Sequence, residues 1–404
     1  MQPQEMQPQE IRALRAATRG TNEYIHFNNA GSSLPPDSTV DTVIRYLQEE
    51  AIGGGYETEA KYAAGLDHVY TLIATLINAR PDEIAIVENA STGWHLAFNG
   101  IDFQPGDEVI TSEMEYVTNH LGFLNVKKTN DIRITVIPNN AEGNFDLKAL
   151  EKAINSRTRL IAITHVPSTA GNILPVEDIG RIARRHNILY LVDACQSVGQ
   201  LSLDVEAIGC DMLAVTGRKY LRAPRGTGFV YIRKNAQDKL RPVFFDGHSI
   251  AAVNENGFTL LDSARRFELY EKNRALTLGL GAAIQYALDL GLDRIEKRIT
   301  CLAASLRSKL AAIPGITVHD KGQHLCGIVT FSVAGMDAEK VKAALHEKKI
   351  NVSISGARST PVYMNLHHLP TVIRASVHYY NTDQEIDTLC TTLAAMRPIQ
   401  AGIS

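Results

Sequence analysis

Little in this chain of 404 residues announces a function at first sight. Its five cysteines, Cys195, Cys210, Cys301, Cys326 and Cys390, are scattered, with no CxxC pair and no Cys/His cluster at zinc spacing. That pattern excludes a zinc module, predicts no metal, and leaves the thiols as small buried groups of a reducing compartment. No stretch approaches roughly 18 uninterrupted apolar residues, and the opening MQPQEMQPQE has neither the basic nor the apolar region of an export signal. A cytoplasmic protein with no membrane partner is the expectation. A formal net charge of -3 supplies no field to gather nucleic acid, so no polyanionic partner is expected. Also missing are GxxxxGK[ST] and a GxGxxG following a strand; the nearest approach, Gly279-Leu-Gly281, sits within a helical pattern. Any phosphate bound here must be held by another device.

What is present is a long alternation. With 45% hydrophobic residues the chain can bury a sizeable core, and its length predicts a large domain plus a smaller one. Between about residue 84 and residue 232, short β-branched runs alternate with amphipathic stretches, the pattern of βαβ units. Strands are predicted at Glu83–Val87, Glu108–Thr111, Ile132–Ile137, Leu160–Thr164, Ile188–Asp193, Met212–Val215 and Gly228–Ile232, with helices at Lys148–Asn155 and Val176–His186 between them. The fold class is therefore α/β, a mainly parallel sheet whose ligands collect at strand carboxyl ends. Beyond residue 270 the period lengthens: helices at Ala275–Leu290 and Leu292–Ala312, then strand Gly327–Val333, helix Ala338–Lys348 behind an Asp337 cap, strands Asn351–Ser355 and Val372–His378, and a helix from Thr382. The domain reading is a flexible tail at 1–20, a large domain at 21–290 whose segment 21–55 adds to the entrance, and a small α+β domain at 291–404.

Three features in the large domain could carry chemistry. Glu88-Asn-Ala-Ser-Thr-Gly93 ends a strand and opens a helical pattern, so Ser91 and Thr92 could either cap that helix or face an anion at its N-terminus. Asp193 closes a run that reads as a fully buried strand, where a carboxylate needs a partner; a turn aspartate is the alternative. Lys219 follows the next strand within Thr216-Gly-Arg-Lys-Tyr-Leu-Arg-Ala-Pro-Arg225, where Arg218, Arg222 and Arg225 would lower its pKa; a solvated basic turn is the alternative. Together they describe a phosphate cup, an acid for a pyridinium nitrogen and an amine for an aldehyde, the requirements of pyridoxal 5'-phosphate.

With these residues in view the sequence resembles the class V aminotransferase family of fold-type I pyridoxal-phosphate enzymes, from Phe27-Asn-Asn-Ala-Gly-Ser-Ser33 to Arg374-Ala-Ser-Val-His-Tyr-Tyr-Asn381. That family also holds cysteine desulfurases, cysteine/cystine lyases, isopenicillin N epimerase-like proteins and ergothioneine-type C–S lyases. The resemblance implies a mainly parallel seven-stranded sheet plus a smaller C-terminal domain, and Lys219 as the cofactor-linked lysine. It places Ser91, Thr92, Thr216 and Arg218 at the phosphate, and Asp193 and Gln196 at the ring nitrogen and phenolic oxygen. Tyr116 stands where desulfurases stack a histidine, with Asn119 beside it, and Ser168 replaces a usual asparagine. Arg374 matches the substrate-carboxylate fork, and Asn29 joins it through the Phe27 motif. Ser359, in Ser355-Gly-Ala-Arg-Ser-Thr-Pro361, occupies the position of the desulfurase cysteine. The resemblance also implies a homodimer with shared sites; Glu271 stands where relatives place a threonine at the neighbouring phosphate and would repel it, so Tyr270 or a backbone N–H is expected to make that contact instead. From the residues themselves, Tyr56 after Gly53-Gly-Gly55 could cap the site and Arg358 could read a second substrate charge. The expected activity is β-elimination from a cysteine-derived L-amino acid, with transamination or epimerisation as alternatives and desulfuration remote.

Overall fold

In the computed structural model, which describes residues 5–396, the strands run in chain order β1 Ile25–His26, β2 Ile84–Val87, β3 Glu108–Ser112, β4 Arg133–Ile137, β5 Thr158–Thr164, β6 Leu189–Asp193, β7 Met212–Thr216, β8 Gly228–Ile232, β9 Ile250–Asn254, β10 Gly257–Leu260, β11 Ile316–Val318, β12 Ile328–Val333, β13 Ile350–Asn351, β14 Ser353–Ser355 and β15 Val372–Ser376. The large sheet has the order β2-β8-β7-β6-β5-β3-β4. Its neighbours pair in parallel except β8, which runs against both β7 and β2. Successive residues face opposite cores: Ile161, Ile163, Tyr190 and Val192 on one side, Leu160, Ala162, Leu191 and Ala214 on the other. Burial of both faces explains why these strands read as unbroken apolar runs.

The smaller antiparallel sheet has the order β11-β12-β15-β14. Helices Leu292–Ala311 and Ala338–Glu347 pack on it, and Asp383–Ala395 packs on the first of these; Asp337 caps the second helix and Thr382 the third. The expected strand 351–355 is split into β13 and β14. The first of these pairs in parallel with β1, which carries the N-terminal segment across to this sheet.

Three further expectations needed correction. Residues 8–16 of the supposed loose tail form a helix, Pro8–Ala16, closed by a Gln7/Glu10 capping box. It is fastened at long range, with Leu14 buried and Arg15 donating to Glu385 at 2.7 Å. Secondly, the glycine run is a break between two long helices, Asp37–Gly53 and Gly55–Ile77, where Gly54 takes φ 91°. Only glycine adopts that angle without strain, so the run ends one helix and starts another; it forms no lid. Both helices pack on Arg274–Leu290. Thirdly, the basic string is divided. Arg222, at φ 60°, turns into a buried hub, donating to Leu34 O at 2.7 Å, Tyr379 Oη at 2.7 Å and Thr18 Oγ1 at 2.6 Å. Its guanidinium carbon lies 4.6 Å from the Tyr380 ring centre, a cation–π contact. Arg225 is exposed.

Candidate active site

A pocket opens at the carboxyl edge of the large sheet, where β2, β3, β5, β6 and β7 all end. Its walls are Asn89, Ala90 and Ser91 after β2, Tyr116 after β3, Thr164, Val166 and Ser168 at and beyond the end of β5, Asp193, Cys195 and Gln196 around the end of β6, and Thr216, Arg218 and Lys219 after β7. Strand ends project side chains from rigid elements over short tethers, so these groups converge at little entropic cost.

The Glu88–Gly93 segment does both things the sequence allowed. Helix Ala90–Asn99 is capped by Asn89, whose Oδ1 accepts the Thr92 N–H at 3.0 Å. Capping therefore occupies Thr92, which does not line the pocket, and leaves Ser91 and the helix N-terminus facing it. No acidic residue stands in that first turn, and Arg218 lies across the pocket, held by a 2.9 Å hydrogen bond to Thr216 Oγ1. A helix N-terminus, two hydroxyls and a guanidinium form an anion site. Gly228 lets the Asn89 turn approach β8 closely, since a Cβ there would lie 2.4 Å from Val215 O and 3.2 Å from Asn89 Cα.

Asp193 is 5% exposed. Its Oδ1 accepts the Cys195 N–H at 2.9 Å and its Oδ2 accepts Asn119 Nδ2 at 2.8 Å. Both partners are neutral, so the carboxylate stays available to a cationic ligand atom. Asn119 thus acts from behind Asp193 and is not a pocket wall. Sequence reasoning missed Glu115, to which Asn119 also donates at 2.8 Å; the signal was the i,i+4 spacing of Glu115 and Asn119 at a helix start.

Lys219 is 8% exposed, and its amine has no hydrogen-bond partner in the described residues. Burial pulls its pKa down first, and Arg218 and Arg374 add to the shift, while Cys195 and Asp193 oppose it. The anticipated cause, a crowd of arginines in the basic string, is therefore only partly present. Arg374, on β15, donates to Ser353 Oγ at 3.0 Å and to Ser168 O at 2.8 Å, which leaves Nη2 without a protein acceptor. Burial lowers this guanidinium to about 10.

Four other candidate residues lie outside the lining of this pocket. Asn29 is fully buried and saturated: Nδ2 donates to Ser376 O at 2.7 Å, and Oδ1 accepts Tyr380 Oη at 2.5 Å. It fastens the N-terminal segment to the small domain. Tyr56 (71% exposed) and Tyr270 (47% exposed) meet in a separate surface cleft with Glu271 and Arg274. Arg358 is exposed on the loop between β14 and helix Pro361–Leu366. That loop is pinned against the pocket mouth: Ser359 O accepts the Val117 N–H at 2.9 Å beside Tyr116, the Thr360 and Thr169 hydroxyls are in contact, and His367 meets buried Glu113 at 2.8 Å.

Pyridoxal phosphate fits this pocket. Besides the anion site, the unpaired amine and the neutral-partnered carboxylate, Ser168 Oγ and Gln196 Oε1 are buried without a partner, and buried polar atoms ordinarily have one. A family model for class V aminotransferases matches residues 25–389. The chain belongs to that family. It is 32% identical over 377 residues to a probable cysteine desulfurase of Methanothermobacter thermautotrophicus, covering 92% of this chain and 94% of the relative. A probable cysteine desulfurase of Pyrococcus abyssi is 31% identical, with 91% and 93% covered. The apo cysteine desulfurase of Thermococcus onnurineus NA1 superposes with a TM-score of 0.90 at 28% identity, covering 98% of both chains. At 23% identity, the cystine C–S lyase C-DES, solved with cysteine persulfide, shares the fold with a TM-score of 0.86 over 94% of this chain and 100% of its own. This member of the class V aminotransferase family is thus a fold-type I, pyridoxal-phosphate-dependent enzyme. The desulfurase names of its relatives run against the expectation that desulfuration is remote.

Proposed function

We propose that this class V enzyme cleaves the C–S bond of a cysteine-derived L-amino acid by β-elimination. The observation that carries the reading is Ser359. The loop at the pocket mouth is tied to the large domain at that residue and at the next one and holds no cysteine. A serine hydroxyl cannot collect sulfur as a persulfide, so the sulfur leaves with its own substituent.

Bound pyridoxal phosphate supplies an electron sink for the pair left when Cα loses its proton. Arg374 grips the substrate carboxylate through its uncommitted Nη2. Lys219 Nζ takes the Cα proton; its lowered pKa leaves a larger neutral fraction to do so. Asp193 keeps a proton on the ring nitrogen, and Ser91, Thr216 and Arg218 anchor the phosphate. The overall reaction consumes water and yields a thiol, pyruvate and ammonium from a cysteine S-conjugate.

A second reading, cysteine desulfuration, is favoured by the names of the relatives. It requires a nucleophilic thiol. Cys195 is the one cysteine lining the pocket, and burial pushes its pKa up to about 11, which suppresses the thiolate. Product analysis separates the readings. Elimination gives pyruvate and thiol in equal amounts from an S-conjugate, whereas desulfuration gives alanine from L-cysteine and a protein-bound persulfide lost in Cys195→Ala. Amine transfer to a 2-oxo acid without pyruvate would support neither and point to a transaminase.

Pairing with a second copy belongs to the same proposal. It is supported by exposed Phe244, Phe245, Val253 and Phe258 around the β9–β10 hairpin, and by the exposed Tyr56 and Tyr270. A monomeric mass by light scattering would count against it.

A further inference from the structure

Asp193 is held from behind by a second carboxylate that the proposed reaction does not use. The Asn119 amide nitrogen donates at 2.8 Å to Asp193 Oδ2 and at 2.8 Å to Glu115 Oε1. Such a nitrogen has two protons, so one is spent on each carboxylate. Turned by half a rotation, the amide would set its carbonyl oxygen against both. The two acids therefore dictate its orientation.

Glu115 is 2% exposed and has no ion-pair partner among the described residues. Its remaining hydrogen bonds come from neutral donors: the Tyr116 N–H at 2.8 Å, Thr111 Oγ1 at 3.1 Å and Thr164 Oγ1. These donors sit on β3, on β5 and at the helix start that carries Tyr116. The charged group facing Glu115 is Asp193. A buried carboxylate without a cation is costly, and the donors around it offset part of that cost.

We propose that Glu115 is a positioning residue of the cofactor site: it fixes Asn119 with its nitrogen toward Asp193, seats Tyr116 at its helix start, and adds a second negative charge that favours a proton on the cofactor's ring nitrogen. The inference rests on pyridoxal phosphate occupying the Lys219 pocket. Burial first, and the Asp193 charge second, push the Glu115 carboxyl up to about 7, against hydrogen bonds from Thr164, Asn119 and the Tyr116 N–H. Its charge therefore changes within the range where the enzyme would be assayed. A glutamine there keeps the shape but offers one acceptor atom in place of two, and no charge.

The test uses the holoenzyme and three variants, Glu115→Gln, Thr164→Val and a core control, Leu150→Ala, read by the pH titration of the near-visible cofactor band and by the affinity for pyridoxal phosphate. Glu115→Gln is expected to weaken binding about tenfold and to move the titration by about one pH unit, the scale of one lost charge-assisted hydrogen bond. Thr164→Val, which keeps the carboxylate but removes a donor, should move the titration less. Leu150→Ala, in the core away from the pocket, should lower stability and leave the titration in place. A folded Glu115→Gln with wild-type titration and affinity overturns the inference. If that variant does not fold, an unmoved titration in Thr164→Val overturns it. Absence of the band in wild-type protein supplied with pyridoxal phosphate would instead overturn the cofactor assignment on which it stands.

Discussion

On the floor of the pocket Asp193 is 5% exposed with both oxygens hydrogen-bonded, whereas outside it Arg358 is exposed on the loop at the mouth and Tyr56 is 71% exposed in a separate cleft. Floor residues leave the ends of buried strands and lose little freedom on being fixed; the outer residues sit on a loop and in the first turn of a helix. The contrast assigns the chemistry common to the family to the floor. What distinguishes one substrate from another falls to the residues outside it.

Substitutions can break or sharpen that contrast. The largest effect is expected from Asp193→Asn, which keeps the hydrogen-bonding shape but cannot hold a proton on the ring nitrogen. A fall in kcat of about 10²–10³-fold, with little change in melting temperature, is the expected result in steady-state kinetics. Arg374→Lys removes the planar fork but keeps a charge; kcat/KM should fall about a hundredfold, mostly through KM.

Smaller effects follow. Because the folded protein holds Glu115 up to about 7 against an ordinary 4.5, it keeps a proton that the unfolded chain loses between those values. The contribution of Glu115 to stability is therefore most favourable at the acid end and declines as pH rises through this window. Buried His165, pulled down to about 4, runs the other way and destabilises as pH falls. The wild-type and Glu115→Gln proteins share His165, so their difference isolates Glu115: denaturant unfolding should show the variant gaining on wild type by on the order of 1 kcal/mol from pH 5 to pH 7. Smallest of all, Arg358→Ala and Tyr56→Phe should alter kcat for a small S-conjugate by less than about threefold. A larger loss in either would bring that outer residue into the chemistry.

Much of this was legible in the sequence, for local reasons. The inner strands of the large sheet were readable because strands buried on both faces are continuous apolar runs, the half-exposed edge strand β4 was readable from its β-branched residues, and Asp193 and Lys219 stood out as charges at or just beyond buried runs. Where tertiary placement decides, the reading failed. Glu113 and Glu115 are two residues apart, and only the path of the chain after β3 sends one to His367 and the other to Asn119. Arg218 and Arg222 belong to one basic string, yet a positive φ turns Arg222 away toward Tyr379 and Tyr380. The Pro8–Ala16 helix is too short to be stable alone and depends on Glu385, 370 residues from Arg15 in sequence.

The most direct measurement of the central claim is the absorption spectrum of the purified protein with pyridoxal phosphate, before and after borohydride, for wild type and Lys219→Ala. A near-visible band that borohydride removes, fixing the cofactor to the peptide containing Lys219, with no such fixation in the variant, is the predicted result. A colourless wild-type protein at saturating pyridoxal phosphate, or fixation at a different lysine, would contradict the account.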